Sequence, residues 1–168
     1  RVYWSEMRFD EGGRYVVCSA ELGKDGYTSL TPKDLNARTR VHEYGGGSSI
    51  VHDGTIFFSN YKDQRLYSQS EPEKASPVSQ EGNKCRYADG NFSCKLGKLF
   101  YVCENHTLVE KKEAKEPQNS IIMLDPATGD QFTLTNGCDF YASPRVSPDG
   151  KHIAWVQGMH PNMPWDIT

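Results

Sequence analysis

Short runs of apolar residues recur along the chain at wide and nearly even intervals. They begin at Val2, Thr55, Lys98 and Lys151, which gives a repeat of about 40 to 50 residues. The last three runs each follow a turn that ends in glycine, and each run is followed by further strand-like sequence, the last such segment beginning at Trp165. Four short strands in a period of this length are typical of one propeller blade. The pattern therefore predicts an all-β protein, a partial β-propeller of four-stranded antiparallel blades.

Within these runs the apolar residues are consecutive rather than alternating. Residues 56–58 and 99–103 are apolar at every position. A strand with one face in water alternates apolar and polar residues, so both faces of these strands must be covered, and stacked blades provide that cover. The pair Asp53 and Gly54 predicts a tight hairpin, because glycine accepts the positive φ that such a turn requires. Residues 125–130 and 148–150 predict slightly longer hairpin turns with glycine in the left-handed position.

Counting strands along the repeat divides the chain into four parts. These are an incomplete blade at 1–35, blades at 36–82 and 83–137, and the first strands of a further blade at 138–168. This is about three blades' worth of chain, whereas closed propellers contain about 4 to 8 blades. We therefore expect a fragment of a longer protein, whose open blade faces would favour self-association. The one helix we predict covers residues 109–116, before Pro117.

The composition is that of a globular, slightly acidic protein. The 168 residues carry a net charge of −3, and 36% of them are hydrophobic. No apolar stretch approaches the roughly 20 residues that span a bilayer, and the one charged run is mixed in sign, so we expect neither a membrane nor a nucleic-acid partner. The five cysteines lack a paired spacing, which favours reduced thiols in a cytoplasmic protein. The alternative places Cys94 opposite Cys103 across a hairpin.

The chain contains no familiar catalytic motif. Glycines 45–47 are followed by Ser48 and Ser49, but Ile50 stands where a nucleophile elbow requires glycine. No phosphate loop, zinc-protease motif, calcium loop, dinucleotide fingerprint or C-x-x-C pair occurs in the sequence. We therefore predict no catalytic residue, no metal site and no cofactor for this chain.

Two loop segments have unusual sequences, residues 38–47 (RTRVHEYGGG) and residues 158–166 (GMHPNMPWD). In an up-and-down blade, loops of these two kinds emerge at the same end, so we expect them to share a face. A structural interpretation is that the glycines allow close backbone approach near the propeller axis and the prolines stiffen the second loop. A functional interpretation is that both loops contact substrate or an adjoining domain. The candidate residues on this face are Arg40, His42, Glu43, Tyr44, His160 and Asn162.

Three segments of the chain resemble the N-terminal propeller of the prolyl oligopeptidase family of serine peptidases, within the acylaminoacyl-peptidase and dipeptidyl-aminopeptidase-like group. They are RTRVHEYGGG, VHDGTIFFSNYKDQRLY and DFYASPRVSPDGKHIAWVQGMHPNMPWD, of which HEYGGG and HPNMPWD are the most specific. The resemblance implies seven or eight blades followed by an α/β-hydrolase domain that carries the catalytic serine, aspartate and histidine. It also implies that the propeller covers the active site and admits short peptides.

The resemblance also suggests a role for one residue and shows two departures. Some relatives place an acidic propeller residue against the free amino group of the substrate, and Glu43 is the nearest candidate here. Relatives often follow the glycine triplet with alanine and an aromatic residue, where this chain has Ser48 and Ser49. The insertion at residues 105–118 is the second departure. Both features bear on substrate preference.

The leading hypothesis is that the chain belongs to a cytoplasmic serine peptidase and gates and positions a peptide for a hydrolase domain of the same parent protein. No triad residue can be transferred to this chain, so we expect no activity from it alone. An alternative is a non-catalytic scaffold of TolB-like or WD-repeat type that binds a protein or small ligand on its loop face. A third hypothesis is a propeller glycosidase. It is disfavoured because such an enzyme needs paired carboxylates, and only Glu43 falls near the predicted axis.

Overall fold

The computed structural model describes residues 1–162 and residue 166, and within them the protein is almost entirely β-structure. A 3-10 helix covers Phe9–Glu11 and one short α-helix, α1, covers Thr107–Glu110. Neither has the length or hydropathy of a membrane-spanning helix. The strands are β1 (Val2–Arg8), β2 (Arg14–Ala20), β3 (Thr28–Ser29), β4 (Ser49–His52), β5 (Thr55–Ser59), β6 (Leu66–Glu71), β7 (Lys74–Pro77), β8 (Cys85–Ser93), β9 (Lys98–Asn105), β10 (Gln118–Leu124), β11 (Gln131–Asn136), β12 (Phe140–Val146) and β13 (Ile153–Gly158).

The strands form four consecutive antiparallel sheets. Sheet 1 has the order β1-β2-β3, sheet 2 the order β4-β5-β6-β7, sheet 3 the order β8-β9-β10-β11, and sheet 4 pairs β12 with β13. In sheets 2 and 3 each strand pairs with its neighbour in sequence, which is the up-and-down pattern of a propeller blade. The predicted all-β, partial-propeller fold is confirmed. The apolar runs that begin at residues 55, 98 and 151 supply the second strands of sheets 2, 3 and 4.

The core lies between the sheets, in three layers. In strand β5, Phe57 packs toward sheet 3 while Ile56 and Phe58 pack toward sheet 1. Strand β9 divides in the same way: Leu99, Tyr101 and Cys103 face sheet 2, and Val102 faces the cluster that contains Tyr141 of sheet 4. Both strands are therefore covered on both faces, as their consecutive apolar residues predicted. This burial of both faces is the main source of stability in the fold.

The predicted turns have the expected backbone. Asp53 and Gly54 both have positive φ, 44° and 77°, so they form a two-residue turn that matches the twist of strands β4 and β5. Gly129 and Gly150 close the longer turns in the left-handed region, with φ of 76° and 73°. In the first of these turns, the Gly129 N–H donates to the carbonyl oxygen of Asp125 at 2.8 Å.

Three local expectations differ from the structure or fall outside it. Helix α1 ends at Glu110, because the Glu113 and Ala114 N–H groups both donate to the Leu108 carbonyl and close the turn instead of extending the predicted 109–116 helix. Cys94 does not face Cys103, since Cys94 lies in the β8–β9 turn and the cross-strand partner of Cys103 is Tyr87. All five cysteines are free. The segment expected to start a strand at Trp165 lies outside the described residues.

The glycine triplet makes the close backbone approach that one interpretation required. A Cβ on Gly47 would lie 2.9 Å from Oδ1 of Asp89, and a Cβ on Gly46 would lie 3.2 Å from the Cβ of Ala88. Asp89 occupies a β-bulge in strand β8, where its carboxylate accepts a hydrogen bond from the Gly47 N–H at 2.8 Å. The segment before strand β4 therefore packs directly on the first strand of sheet 3.

The Tyr101 hydroxyl is a buried polar group for which the described part of the chain supplies no hydrogen-bond partner. Burial raises the pKa of this hydroxyl, so it stays neutral and uncompensated. We expect Tyr101→Phe to raise the free energy of unfolding by about 1 kcal/mol, because an unsatisfied buried hydroxyl is removed while the ring remains. Urea unfolding followed by circular dichroism measures the change.

A neighbouring tyrosine provides the control for this prediction. The Tyr87 hydroxyl donates to Oε1 of Gln131 at 2.8 Å and accepts from Nδ2 of Asn83 at 2.8 Å. Tyr87→Phe should therefore lower stability by about 1 kcal/mol, because it leaves two partners without their hydrogen bond. Equal losses for Tyr101→Phe and Tyr87→Phe would contradict the prediction.

Candidate functional site

A cavity of about 640 Å³ opens at one end of sheets 3 and 4. Its walls come from the loop before β4, the loop after β9, the connection between β11 and β12, and the loop after β13. The first and third of these loops lead from one sheet into the next, and the second and fourth follow the second strand of a sheet. They are the two kinds of loop that we expected to share a face. The lining residues that matter for its chemistry are His42, Glu43, Tyr44, Glu104, His106, Glu116, Asn119, Asp139, Phe140 and His160.

The loop before β4 presents its side chains through an unusual backbone. His42 and Glu43 have positive φ, 53° and 64°, which few residues other than glycine adopt. The tight turn is held by the Glu43 N–H donating to the Arg40 carbonyl and the Gly45 N–H donating to the Val41 carbonyl, both at 2.9 Å. Val41 is buried in the layer between sheets 3 and 4 and anchors the loop. The side chain of Glu43 remains 67% exposed at the mouth of the cavity.

Glu104, near the end of strand β9, holds the loop before β4 in place. Its side chain is only 3% exposed, so the carboxylate depends on protein partners for its stability. Oε2 accepts the His42 N–H at 2.6 Å and lies 3.4 Å from Nδ1 of the same residue. Oε1 lies 2.5 Å from Nε2 of His106 and 3.1 Å from Nη1 of Arg86. One buried carboxylate thus joins the loop before β4, strand β8 and the loop after β9.

Arg86 connects the buried carboxylate to the exposed one. Its Nη1 donates to Oε1 of Glu43 at 2.6 Å and to the Arg40 carbonyl at 2.8 Å. The Arg86 guanidinium holds the pKa of the Glu43 carboxyl below its ordinary value, although burial acts in the opposite direction. Arg40 adds a second cation, with Nη2 at 3.7 Å from Oε2 of Glu43. Glu43 is therefore an ionised, oriented carboxylate at neutral pH.

Several aromatic rings line the cavity. The Phe140 ring meets His42 and His160 edge-on, each with a centroid separation of 5.2 Å. Tyr44 lies beside His42 at 6.4 Å and is 82% exposed. The Asp139 carboxylate accepts the His160 N–H at 2.7 Å and so holds the loop after β13 against these rings. A ligand in the cavity would therefore meet both aromatic rings and carboxylates.

Four of the six residues expected on this face line the cavity, namely His42, Glu43, Tyr44 and His160. Arg40 and Asn162 are not among the lining residues. Arg40 contacts Glu43 through the ion pair described above, and Asn162 closes a turn by donating its N–H to the Met159 carbonyl at 2.9 Å. The sequence did not indicate Glu104, Arg86, His106 or Phe140. It also named Glu43 as the single acidic candidate, whereas four carboxylates line the cavity, from Glu43, Glu104, Glu116 and Asp139.

The position of Glu104 in the sequence could have indicated that its side chain is buried. Glu104 directly follows the fully apolar run 99–103 and is the acidic residue of that strand. By the two-residue period of a strand, it lies on the same face as Val102, which contacts sheet 4. An acidic residue in that place requires a buried partner. In the described part of the chain, no three His, Cys, Asp or Glu side chains are arranged to bind a metal ion.

Comparison with solved structures identifies the class of protein. A puromycin-hydrolyzing peptidase from Mycobacterium tuberculosis superposes with a TM-score of 0.84 and 37% identity, over 98% of this chain and 27% of that one. A puromycin hydrolase superposes with a TM-score of 0.79 and 27% identity, over the same shares of the two chains. No family model matches the chain, and neither does any curated protein. The fold and these matches define the chain as a partial β-propeller like the corresponding part of these two proteins.

The same matches bear on the resemblance that the motifs carry. The resemblance of HEYGGG and the related segments to the propeller of the prolyl oligopeptidase family is confirmed, and the chain is a partial propeller-like domain. The chain spans about a quarter of the length of the solved structures it matches.

Proposed function

We propose that this chain is the part of a serine peptidase that restricts access to the active site and positions the amino end of the substrate. The catalytic serine, histidine and aspartate would belong to an α/β-hydrolase domain of the same parent protein. In that domain the serine attacks the acyl carbon, the histidine transfers the proton and the aspartate orients the histidine. The matches to two puromycin-hydrolysing proteins favour this function over a scaffold propeller.

The observation that carries the proposal is the charge and shape of the cavity. Four carboxylates line it, while the cations beside them are Arg86 and Arg40, so the site is net acidic when its histidines are neutral. An acidic cavity attracts a substrate ammonium group, and its field is strongest where water is partly excluded. The aromatic wall of Phe140, His42 and His160 offers aromatic contacts to a ring of the substrate.

These features suit short peptides and aminoacyl amides that have a free α-amino group. Puromycin is such a compound, because its aromatic amino acid carries an unblocked amine. In the proposed complex the ammonium group donates to Glu43, whose carboxylate is exposed, ionised and held in place by Arg86. Glu104 does not take this role, because its two oxygens already serve His42, His106 and Arg86.

The test is made on the whole protein encoded by the gene. We expect Glu43→Gln to lower kcat/KM for puromycin roughly tenfold, because a charge-assisted hydrogen bond to the ammonium group is lost. The same variant should leave kcat/KM for N-acetylpuromycin unchanged, because the acetylated amine carries no charge. Steady-state hydrolysis of both compounds by both proteins measures the two ratios.

The matched control is Glu71→Gln at the other end of sheet 2. Glu71 is an exposed glutamate paired only with Lys74 among the described residues, so its loss should change neither substrate. An equal loss for puromycin and N-acetylpuromycin in Glu43→Gln would contradict the amino-group role. The proposal also places the catalytic residues in a hydrolase domain of the parent protein. That part would be contradicted if hydrolysis persisted after treatment with a serine-directed inhibitor, or if residues 1–168 alone showed serine-dependent hydrolysis.

A further inference from the structure

The end of the sheets away from the cavity carries a second group of reactive side chains. Cys94 lies in the turn between β8 and β9, and His52 is the last residue of β4, next to the β4–β5 turn. The Sγ atom of Cys94 is 3.8 Å from Nε2 of His52 and 3.9 Å from Nδ1. Oδ2 of Asp53 lies 3.5 Å from the same Nε2. A thiol, an imidazole and a carboxylate from two neighbouring sheets are therefore in contact.

The imidazole is held in a fixed orientation. Its ring stacks on Phe92 with a centroid separation of 4.2 Å and an angle of 21°. Phe92 in turn stacks on Phe57 at 5.9 Å and 12°, and Phe57 belongs to the buried layer between sheets 2 and 3. His52 is thus the outer member of a stack of three rings that begins in the core. A base held in this way stays beside the thiol.

The other cysteines lack this arrangement. Cys18, Cys85 and Cys103 are buried, and Cys138 is half-buried, while Cys94 is exposed. For Cys138 the described part of the chain shows no contact with a histidine. Reaction of a thiol requires both access and a means of losing its proton. Among the described cysteines, Cys94 alone combines the two.

We propose that Cys94 is a thiol-modification site at which His52 acts as the base and low-molecular-weight disulfides of the glutathione class are the reactants. His52 takes the thiol proton, and the Cys94 thiolate attacks one sulfur of the disulfide. A new S–S bond forms to Cys94 while the S–S bond of the reactant breaks. The departing thiolate then receives the proton from His52. Cys94 is oxidised to a mixed disulfide, and half of the reactant is reduced to a free thiol.

The position of the turn links this reaction to the packing of three sheets. His52 belongs to sheet 2 and Cys94 to sheet 3. The next residues of the turn, Lys95 and Leu96, pack on the β12–β13 turn of sheet 4, where a Cβ on Gly150 would lie 3.2 Å from each of their Cγ atoms. An adduct on Cys94 would occupy the space between these turns. Lys95, the next residue in sequence, adds a positive charge to the same turn, which favours an anionic disulfide such as oxidised glutathione.

The experiment follows the reaction of the native chain with glutathione disulfide, with the modified cysteine located by peptide mass mapping. We expect Cys94 to react first, at least about tenfold faster than Cys138. At pH 7 a free thiol is only a few per cent ionised, so His52→Gln should slow Cys94 by roughly tenfold. Above about pH 9.5 most free thiols ionise unaided, so the two proteins should then react at nearly equal rates. A merely structural role for His52 would not produce this convergence.

Two further variants complete the test. His152→Gln changes an exposed histidine in the β12–β13 turn and should leave the Cys94 rate unchanged. Asp53→Asn keeps a residue that tolerates positive φ while removing the carboxylate, and should slow Cys94 at pH 7 by a smaller factor, again with convergence at high pH. If the three buried thiols react in His52→Gln, that variant has unfolded and Asp53→Asn carries the test.

Three results would overturn the proposal. The first is modification of Cys138 before Cys94 in the unaltered chain. The second is a His52→Gln rate equal to that of the unaltered chain at pH 7, or lower by the same factor at both pH values. The third, where His52→Gln is unfolded, is an Asp53→Asn rate that matches the unaltered chain at pH 7. None of these results bears on the role of Glu43, which lies at the other end of the sheets.

Discussion

Replacing Glu104 by alanine is expected to lower the free energy of unfolding by about 3 to 5 kcal/mol, the usual cost of breaking a buried ion pair by removing one partner. The carboxylate is 3% exposed and is shared by the His42 N–H, His106 and Arg86. Its loss removes the buried one of the two carboxylates that pair with the Arg86 guanidinium, whose side chain is 14% exposed. Urea unfolding of the two chains at pH 7, followed by circular dichroism, measures the difference.

Two comparisons separate this effect from a general loss of charge. Glu71→Ala removes an exposed glutamate with a single ion-pair partner among the described residues, and should cost no more than about 0.5 kcal/mol. Glu104→Gln retains the shape and part of the hydrogen bonding, so it should fall between the other two. Because a buried pair is weakly screened, the Glu104→Ala difference should persist at high salt. If Glu104→Ala lowers the free energy of unfolding by less than about 1 kcal/mol, or if the difference disappears at high salt, then Glu104 does not hold these loops together.

Much of the fold was readable from the sequence because second strands in a propeller are covered on both faces. That requirement leaves uninterrupted apolar runs at 56–58 and 99–103, and the positive φ of the hairpins leaves glycine at their turns. The first strands of the sheets were harder to recognise. Strand β4 is half-buried along its whole length, so it carries no strong pattern. In strand β8 the sequence Asp-Gly-Asn at 89–91 is typical of a turn, yet it forms a bulge inside the strand.

The site could be predicted only where its residues lie in loops of distinctive sequence, as His160 also does. His42, Glu43 and Tyr44 belong to one distinctive loop, and the structure places all three on the cavity. Glu104 is 62 residues from His42, and the two meet only because sheet 3 packs against the loop that leads into sheet 2. Phe140 likewise becomes part of the aromatic wall only after sheet 4 packs on sheet 3. A partnership of this kind depends on the stacking of sheets, which local pattern does not encode.

The glycine of the bulge in β8 supplies the second large prediction. A Cβ on Gly90 would lie 2.5 Å from Cε1 and Cζ of Tyr101 and 2.7 Å from its hydroxyl oxygen. Tyr101 is fully buried and packs edge-on against Tyr87, so its ring has no room to withdraw. We expect Gly90→Ala to lower the free energy of unfolding by about 3 kcal/mol, the upper end of the usual cost of overpacking. Urea unfolding under the conditions used for Glu104 measures the loss.

Gly158, at the end of strand β13, is the matched control for this prediction. A Cβ there would meet no described atom within 4 Å, so Gly158→Ala should be neutral or raise stability by a few tenths of a kcal/mol, about what a smaller unfolded-state entropy gives. Adding Tyr101→Phe to Gly90→Ala should recover only part of the loss, because the two ring carbons still overlap the new methyl group. If Gly90→Ala were as well tolerated as Gly158→Ala, the bulge would be free to shift. Asp89 would then not be held between the Gly47 N–H and sheet 4, and the loop bearing His42 and Glu43 would lose its hydrogen bond to strand β8 at Gly47.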